Sequence, residues 1–148
     1  MIRTFRDSDK PEWLRMRRAL WPALASDAVL EARDGEQWLA RKDAAIFVFD
    51  PGISDRLGGF LEVGERPFAD GCNSSPVGFI EGWYVDPAFR GQGIGRALMR
   101  AAEHWSLTSG YCEIASDTHL ESSESQAAHL KAGFAEVERV VRYKKAIK

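Results

Sequence analysis

A glycine-rich segment near the middle of the chain joins a strand-like run to a helix-like run. It reads VDPAFRGQGIGRALM (85–99), and Gly91, Gly93 and Gly95 are separated by single residues. Glycines this dense cost backbone entropy, so they indicate a turn that needs left-handed angles or lets a ligand approach the main chain. Free amides converge where a strand, a glycine turn and a helix N-terminus meet, and the helix dipole favours negative charge there. The segment therefore predicts an anion-binding turn.

Two common phosphate-binding patterns do not fit this turn. A Walker A loop ends in Lys followed by Ser or Thr, and no such pair follows a glycine in this chain. The dinucleotide fingerprint GxGxxG fails as well, because its last position counted from Gly91 is Arg96. The pattern that remains is RxxGxG, from Arg90 to Gly95, which follows a predicted strand and opens a predicted helix.

The remainder of the chain alternates between strand-like and helix-like segments. Strand patterns are predicted over 2–6, 44–50, 57–63, 77–85 and 111–116 and in the final segment FAEVERVVRYKK. Helical spacing of apolar residues predicts helices over 10–21, 28–42, 94–108 and 122–131. This mixed order, without a regular βα repeat, is typical of an α+β domain. We therefore expect one domain over residues 1–148, built on a twisted mixed, mostly antiparallel sheet flanked by helices.

Composition argues against several other classes of protein. The net charge is −2, from 22 acidic and 20 basic residues, so the chain lacks the basic excess that nucleic-acid binders use. No segment approaches the length of apolar residues that spans a bilayer, and the N-terminus is too charged for a signal peptide. The two cysteines, Cys72 and Cys112, lie in no metal-ligand pattern. We expect reduced thiols, a cytoplasmic location, no metal, no nucleic acid and no membrane partner.

The glycine turn and its surroundings resemble the GNAT superfamily of N-acetyltransferases. RxxGxG is preceded by VDP, followed by the helix that begins GRALM, and then by HLKAGF at 129–134, in the order of that family. The resemblance implies a GNAT fold with a splayed central strand pair, and acetyl-CoA as the cosubstrate. It assigns the pantetheine arm to Trp83, Tyr84 and Val85, and the pyrophosphate to Arg90, Gly91, Gln92, Gly93, Ile94, Gly95 and Arg96.

Two positions of the later family motif differ from the usual residues. Ser122 stands where the family has an asparagine that contacts the cofactor, and His129 stands where it has a tyrosine. Either histidine or tyrosine can donate a proton to the departing thiolate of coenzyme A, although a lone histidine on a helix is also a common structural residue.

A narrower resemblance is to the homodimeric branch of the aminoglycoside 6'-N-acetyltransferases. It is carried by RALWP, DGCNSSPVGFIEGWYV, ASDT and GFAEVERVVRYKK. The resemblance extends over most of the chain, and residues 40–65 are least alike. The resemblance implies a homodimer, a role in antibiotic resistance and a pocket for a polycationic amine, with Phe68 at a position where the family has tyrosine. The implied pocket residues are Trp21, Phe68, Glu81, Asp117 and Glu138.

Glu81 is the first candidate for the catalytic base. An amine must be unprotonated to attack a thioester, so the site needs a carboxylate or a water chain that accepts a proton. Glu81 is predicted to share a strand face with Phe79 and Trp83, which would place an acid in an aromatic row. A carboxylate on a solvent-facing strand is the structural alternative. Asp117 follows the neighbouring strand, where it could also cap a turn.

The expected reaction is direct attack by the amine within a ternary complex. Glu81, through water, would accept the proton, and a backbone N–H near Val85 would stabilise the oxyanion. Neither cysteine has a partner histidine in sequence, so no covalent enzyme intermediate is expected. Two alternatives stay open: another amine acceptor, such as a polyamine, a peptide N-terminus or a metabolite, and a non-catalytic module that only binds acyl-CoA.

Overall fold

The computed structural model describes residues 1–25 and 27–148. The described chain forms two compact units, Met1–Asp117 and Thr118–Lys148. The first unit contains strands β1 (Ile2–Thr4), β2 (Ala44–Phe49), β3 (Gly59–Arg66), β4 (Val77–Val85) and β5 (Ile114–Ser116). Its helices are α1 (Lys10–Leu20), α2 (Pro22–Ala25), α3 (Ala28–Leu39) and α4 (Ile94–Thr108), with short 3₁₀ turns at Asp7–Asp9 and Pro87–Phe89. The second unit contains α5 (Ser123–Lys131).

The five strands form one sheet in sequence order, β1 to β5. The first three strand pairs are antiparallel, and β4 pairs with β5 in parallel. The parallel pairing joins Gly78, Phe79 and Ile80 to Ile114, Ala115 and Ser116, whereas β4 continues to Val85. The second half of β4 therefore extends beyond its pairing with β5, as a splayed strand pair requires.

A β-bulge interrupts the pairing between β3 and β4 at Glu81. Glu62 lies opposite Gly82 and the next residue, Val63, lies opposite Ile80, so Glu81 is the extra residue on β4. A bulge of this kind changes which face the following side chains point to. Glu81 therefore lies on the same face as Phe79, but Trp83, opposite Leu61, lies on the other face. The prediction that Trp83 shares a face with Glu81 is wrong, because strict alternation does not continue through a bulge.

The two faces of the sheet are covered by different helices. Trp13 and Met16 of α1, together with Trp38 of α3, pack against Val48 and Phe60 on one face. On the other face α4 buries Ile94, Leu98, Met99 and Ala102, and the indole nitrogen of Trp83 donates to the carbonyl of Gly95 at 3.0 Å. The helix predicted over 94–108 is confirmed residue for residue.

The second unit lacks the strand predicted from FAEVERVVRYKK. The structure describes all of residues 134–148, and none of them forms a helix or a strand. The apolar residues Val137, Val140, Val141 and Tyr143 are exposed. The alternating pattern suits a strand, but a strand needs a neighbouring strand to pair with its backbone hydrogen-bonding groups. The described residues of this unit form no other strand.

A partly buried ion pair joins α1 to the end of β4, just before the glycine turn. Asp86 is 5% exposed and accepts hydrogen bonds from Arg15 at 3.0 Å on Oδ1 and 2.8 Å on Oδ2. Arg15 also donates to the carbonyl of Leu57 at 3.0 Å. Burial acts to raise the pKa of Asp86, but the hydrogen bonds from Arg15 and Tyr84 hold it below its usual value. Asp86 is therefore charged at neutral pH, and Arg15 is its main partner.

We expect Asp86→Ala to lower the free energy of unfolding by about 2 kcal/mol, because it removes the buried carboxylate from Arg15, which then keeps only its ion pair with Glu12. Glu36→Ala is the matched control, since Glu36 also pairs with a cation of α1, Lys10, but both side chains are exposed. That change should cost less than about 1 kcal/mol. Urea unfolding followed by circular dichroism measures both, and equal losses would contradict the role given to Asp86.

Candidate active site

A cavity of about 540 Å³ lies in the first unit, on the face of the sheet that α1 and α3 cover. Its walls combine carboxylates, arginines and indole rings. The lining residues are Arg17, Trp21, Asp34, Gln37, Trp38, Arg41, Glu62 and Glu81. Acidic groups beside aromatic faces suit a cationic ligand that also has an apolar ring surface.

Trp21 enters the cavity from the end of α1. It is the residue after the last helical turn, and its amide donates to the carbonyl of Arg17 at 2.8 Å. Its indole meets Phe60 edge to face, with ring centroids 6.4 Å apart. A Cβ atom built on Gly82 would lie 2.9 Å from Trp21 Cη2, so only glycine leaves room for the indole against β4.

Glu81 points into the cavity from the bulge and is paired with an arginine. Its Oε1 accepts from Arg66 Nε at 3.0 Å and from Nη2 at 2.8 Å. The Arg66 guanidinium in turn lies 3.5 Å from the centroid of the Phe79 ring. A substrate ammonium at Glu81 would therefore share the carboxylate with Arg66, a partner that sequence reasoning did not find.

Glu62 is a second carboxylate in the cavity wall, and it is fully buried in the centre of β3. Its Oε1 accepts from the indole N–H of Trp13 at 2.9 Å and lies 3.5 Å from Arg17 Nη1. Its Oε2 has no hydrogen-bond partner among the described residues. Burial raises the pKa of Glu62 to about 7, against the opposing effects of the Arg17 charge and the Trp13 hydrogen bond.

The glycine turn has the backbone that its sequence predicted. Gly91 and Gly93 have φ angles of 75° and 80°, which side chains with a Cβ rarely adopt. A Cβ built on either would meet nothing within 4 Å, so the space above the turn is open to a ligand. Gly93 is also the N-cap of α4, whose first-turn amides have no partner inside the helix. These features fit the pyrophosphate of a coenzyme A thioester.

Arg90 folds back along the strand that leads to this turn. Its Nε donates to the carbonyl of Val85 at 2.9 Å, and its Cζ lies 5.9 Å from the ring centroid of Tyr84. Arg96 lies in the first turn of α4, and both arginines are exposed. The two arginines of the motif therefore occupy different surroundings, and Arg96 lies beside the helix terminus.

Comparison with known proteins identifies the family. The model of the acetyltransferase (GNAT) family matches residues 8–134. The chain belongs to the GNAT family of acetyltransferases. It is similar to aminoglycoside N(6')-acetyltransferases type 1 of Klebsiella aerogenes, with 41% identity, and of Stenotrophomonas maltophilia, with 40%. The matches cover 99% of this chain and 97% of the first relative, and 97% of this chain and 91% of the second.

Two solved structures of similar enzymes have the same fold. One is the apo aminoglycoside 6'-N-acetyltransferase AAC(6')-IG of Acinetobacter haemolyticus, with a TM-score of 0.86, 35% identity, and coverage of 100% of this chain and 99% of that one. The other is AAC(6')-Iy bound to the bisubstrate analogue CoA-S-monomethyl-acetylneamine, with a TM-score of 0.87, 35% identity and coverage of 99% and 97%. The predicted family and α+β GNAT fold are confirmed.

The structure of this GNAT acetyltransferase brings together only some of the predicted substrate residues. Trp21 and Glu81 line the cavity, whereas Phe68, 66% exposed, and Asp117, exposed after β5, are not among its lining residues. Ser122, His129 and Glu138 belong to the second unit. There, His129 Nδ1 donates to the carbonyl of Ser125 at 2.7 Å, which orients the ring, and Glu138 is exposed.

Sequence reasoning missed most of the cavity wall. The sequence gives one indication of Glu62, because an acid within the apolar strand GFLEV is unusual. Its pattern places Arg17 only on the buried face of the first helix and gives no indication of a cavity. The other missed residues are Asp34, Gln37, Trp38 and Arg41.

Within the described residues there is no group of three His, Cys, Asp or Glu side chains placed to hold a metal ion. The described helices include none that is long and apolar enough to cross a membrane.

The raised pKa of Glu62 predicts that stability falls as the pH rises. The ordinary value of its carboxyl pKa is 4.5 and the folded value is about 7, so the folded state binds the extra proton between these pH values. The free energy of unfolding should therefore decrease from pH 4.5 to 7, by at most about 3 kcal/mol. Glu62→Gln should remove this decrease, because the amide does not titrate.

Urea unfolding of both proteins at several pH values measures the difference. Asp9, Asp50 and Asp86 have lowered pKa values, so their stabilisation is lost below about pH 4 and lies outside this window. Parallel curves for wild type and Glu62→Gln between pH 4.5 and 8 would contradict the buried, proton-binding state of Glu62.

Proposed function

We propose that this GNAT acetyltransferase transfers an acetyl group from acetyl-CoA to the 6'-amine of an aminoglycoside, and so confers resistance. The observation that carries the proposal is the cavity over the β4 bulge, where Glu81, Glu62 and Trp21 meet beside the strand that leads to the glycine turn. Carboxylates attract the ammonium groups of an aminoglycoside, and an indole face packs against a sugar ring. The similar enzymes with that name support this acceptor.

The binding site for acetyl-CoA is proposed along the end of β4 and the turn that follows it. Trp83, Tyr84 and Val85 extend beyond the pairing with β5, which suits hydrogen bonding to a pantetheine arm. The turn from Arg90 through Gly91, Gln92, Gly93, Ile94 and Gly95 to Arg96 would hold the pyrophosphate. Ser122 would replace the asparagine that other family members use for a cofactor contact.

The chemistry requires the amine to lose its proton. When bound, acetyl-CoA supplies an activated acyl thioester. Glu81, through water, would hold the proton of the amine, and the backbone amide of Val85 would donate to the developing oxyanion. His129 would donate a proton to the departing thiolate. The resemblance also assigns Phe68, Asp117 and Glu138 to the aminoglycoside, although Phe68 and Asp117 are not among the residues that line the cavity.

Direct transfer in a ternary complex is favoured over a cysteine intermediate. Burial raises the pKa of the Cys72 thiol, and the nearby charge of Glu113 acts in the same direction. A thiolate nucleophile needs the opposite shift. We further propose that the protein is a homodimer in the cytoplasm, on the strength of its resemblance to the homodimeric branch.

One assay tests the proposed function: free thiol release from acetyl-CoA with kanamycin, spermidine and a short peptide measured in parallel. We expect release with kanamycin at least a hundred times faster, by kcat/KM, than with the other two amines. Thiol release with spermidine or the peptide but not with kanamycin would make another amine the acceptor. Silence with every amine, despite calorimetric binding of acetyl-CoA, would identify a non-catalytic module.

Glu81→Gln tests the assigned base. The amide cannot accept the proton, so kcat/KM for kanamycin should fall by about a hundredfold or more, while the dissociation constant of acetyl-CoA stays unchanged. Glu65→Gln is the matched control, because Glu65 is an acid of the neighbouring strand that accepts from the Tyr111 hydroxyl and does not line the cavity. Wild-type kcat/KM for Glu81→Gln at every pH would refute the assignment.

Gly93→Ala tests the anion-binding turn. The substitution strains a residue with φ of 80° at the start of α4, and Gly110→Ala does the same at φ of 91° just past its other end. Both changes should destabilise the fold by about 1–2 kcal/mol. Only Gly93→Ala should raise KM for acetyl-CoA, by about tenfold, and an equal rise for Gly110→Ala would show that strain alone is responsible.

A further inference from the structure

Arg17 lies in the cavity wall with its guanidinium between two indole rings. Its Cζ is 4.8 Å from the centroid of Trp13 and 4.9 Å from that of Trp21. The three residues are spaced by four along the chain, so they form one stripe on α1 and its C-terminal extension. The planar guanidinium can stack on an aromatic face in a way that a lysine ammonium cannot.

Two carboxylates from different elements hold this guanidinium in place. Asp34 of α3 accepts from Arg17 Nη2, and Glu62 Oε1 of β3 lies 3.5 Å from Nη1. Arg17 is 3% exposed and Glu62 is fully buried, so their attraction acts away from bulk water, whereas the Asp34 side chain is 46% exposed. The guanidinium of Arg17 therefore has a fixed position where α1, α3 and the sheet meet.

The far side of the Trp21 indole is fixed by the sheet. Phe60 meets the indole edge to face, and Gly82 leaves the space that it fills. The indole is thus confined by Arg17, by Phe60 and by the backbone of β4. A ring confined in this way loses little further freedom when a ligand packs against it.

We propose that Arg17 is a positioning residue: it fixes the Trp21 indole as the aromatic wall of the substrate cavity, and so sets the affinity for the aminoglycoside without contacting the reacting atoms. The inference rests on the proposed function, because that function makes Trp21 a substrate residue. Arg17 acts through Trp21, so its effect must disappear when Trp21 is absent.

A double-mutant cycle tests this dependence. Arg17→Met should raise KM for kanamycin about tenfold, with kcat within about threefold of wild type and KM for acetyl-CoA unchanged. In a Trp21→Ala background the same substitution should change KM for kanamycin by less than about twofold. A rise of similar size in both backgrounds would overturn the proposal, as would an unchanged KM for Arg17→Met in the wild-type background.

Arg41→Met is the matched control. Arg41 lines the same cavity and stacks on an indole, with its Cζ 4.7 Å from the centroid of Trp38, but its stacking partner is not Trp21. Whatever its own effect on KM, that effect should be the same with and without Trp21. Coupling of equal size between Arg41 and Trp21 would overturn the specific role of Arg17.

A second variant covers the case in which Arg17→Met does not fold. Gly82→Ala leaves every charged group in place and displaces the indole from the sheet side, because the new Cβ would lie 2.9 Å from it. It should also raise KM for kanamycin about tenfold, with kcat retained. An unchanged KM would overturn the need for a fixed indole. A different result, wild-type protein that releases no thiol with any of the tested amines, would refute the proposed function itself.

Discussion

The extra residue at Glu81 in β4 is the constraint on which the site depends. Because Glu62 lies opposite Gly82 while Val63 lies opposite Ile80, the bulge turns Glu81 to the face that α1 and α3 cover. It also sends Trp83 to the α4 face, where its indole packs against Gly95 in the first turn of that helix. A single irregularity thus separates the side chains of β4 that line the cavity from those that pack against α4, just before the glycine turn.

The cavity wall buries charge that a core built for stability alone would not contain. Glu62 is fully buried with one oxygen unpartnered, and Arg17 is held between it, Asp34 and two indoles. Replacing such a pair with apolar side chains is often neutral or stabilising in other proteins. In this protein the pair lies in the wall of the cavity that Trp21 and Glu81 also line.

The sequence predicted the parts of the protein that depend on local pattern. The glycine turn and the helix over 94–108 follow from glycine spacing and helical periodicity, and the GNAT family and its fold are confirmed. The face of the sheet on which Trp83 lies could not be predicted, because the alternation of apolar and polar residues does not reveal a bulge. The ion pairs of Glu81 with Arg66 and of Arg17 with Glu62 join residues far apart in sequence. The prediction of a final strand is wrong because an alternating pattern indicates a strand but does not show which other strand would pair with it. The catalytic and binding roles of individual residues stay predictions.

A crystal structure of the protein with coenzyme A and kanamycin tests the central claim most directly. We expect the 6'-amine to lie within hydrogen-bond reach of Glu81, directly or through one water, with the sugar ring against the Trp21 indole and the pyrophosphate on the amides of the glycine turn. An amine bound outside the cavity over the bulge, with Glu81 still paired only to Arg66, would contradict it.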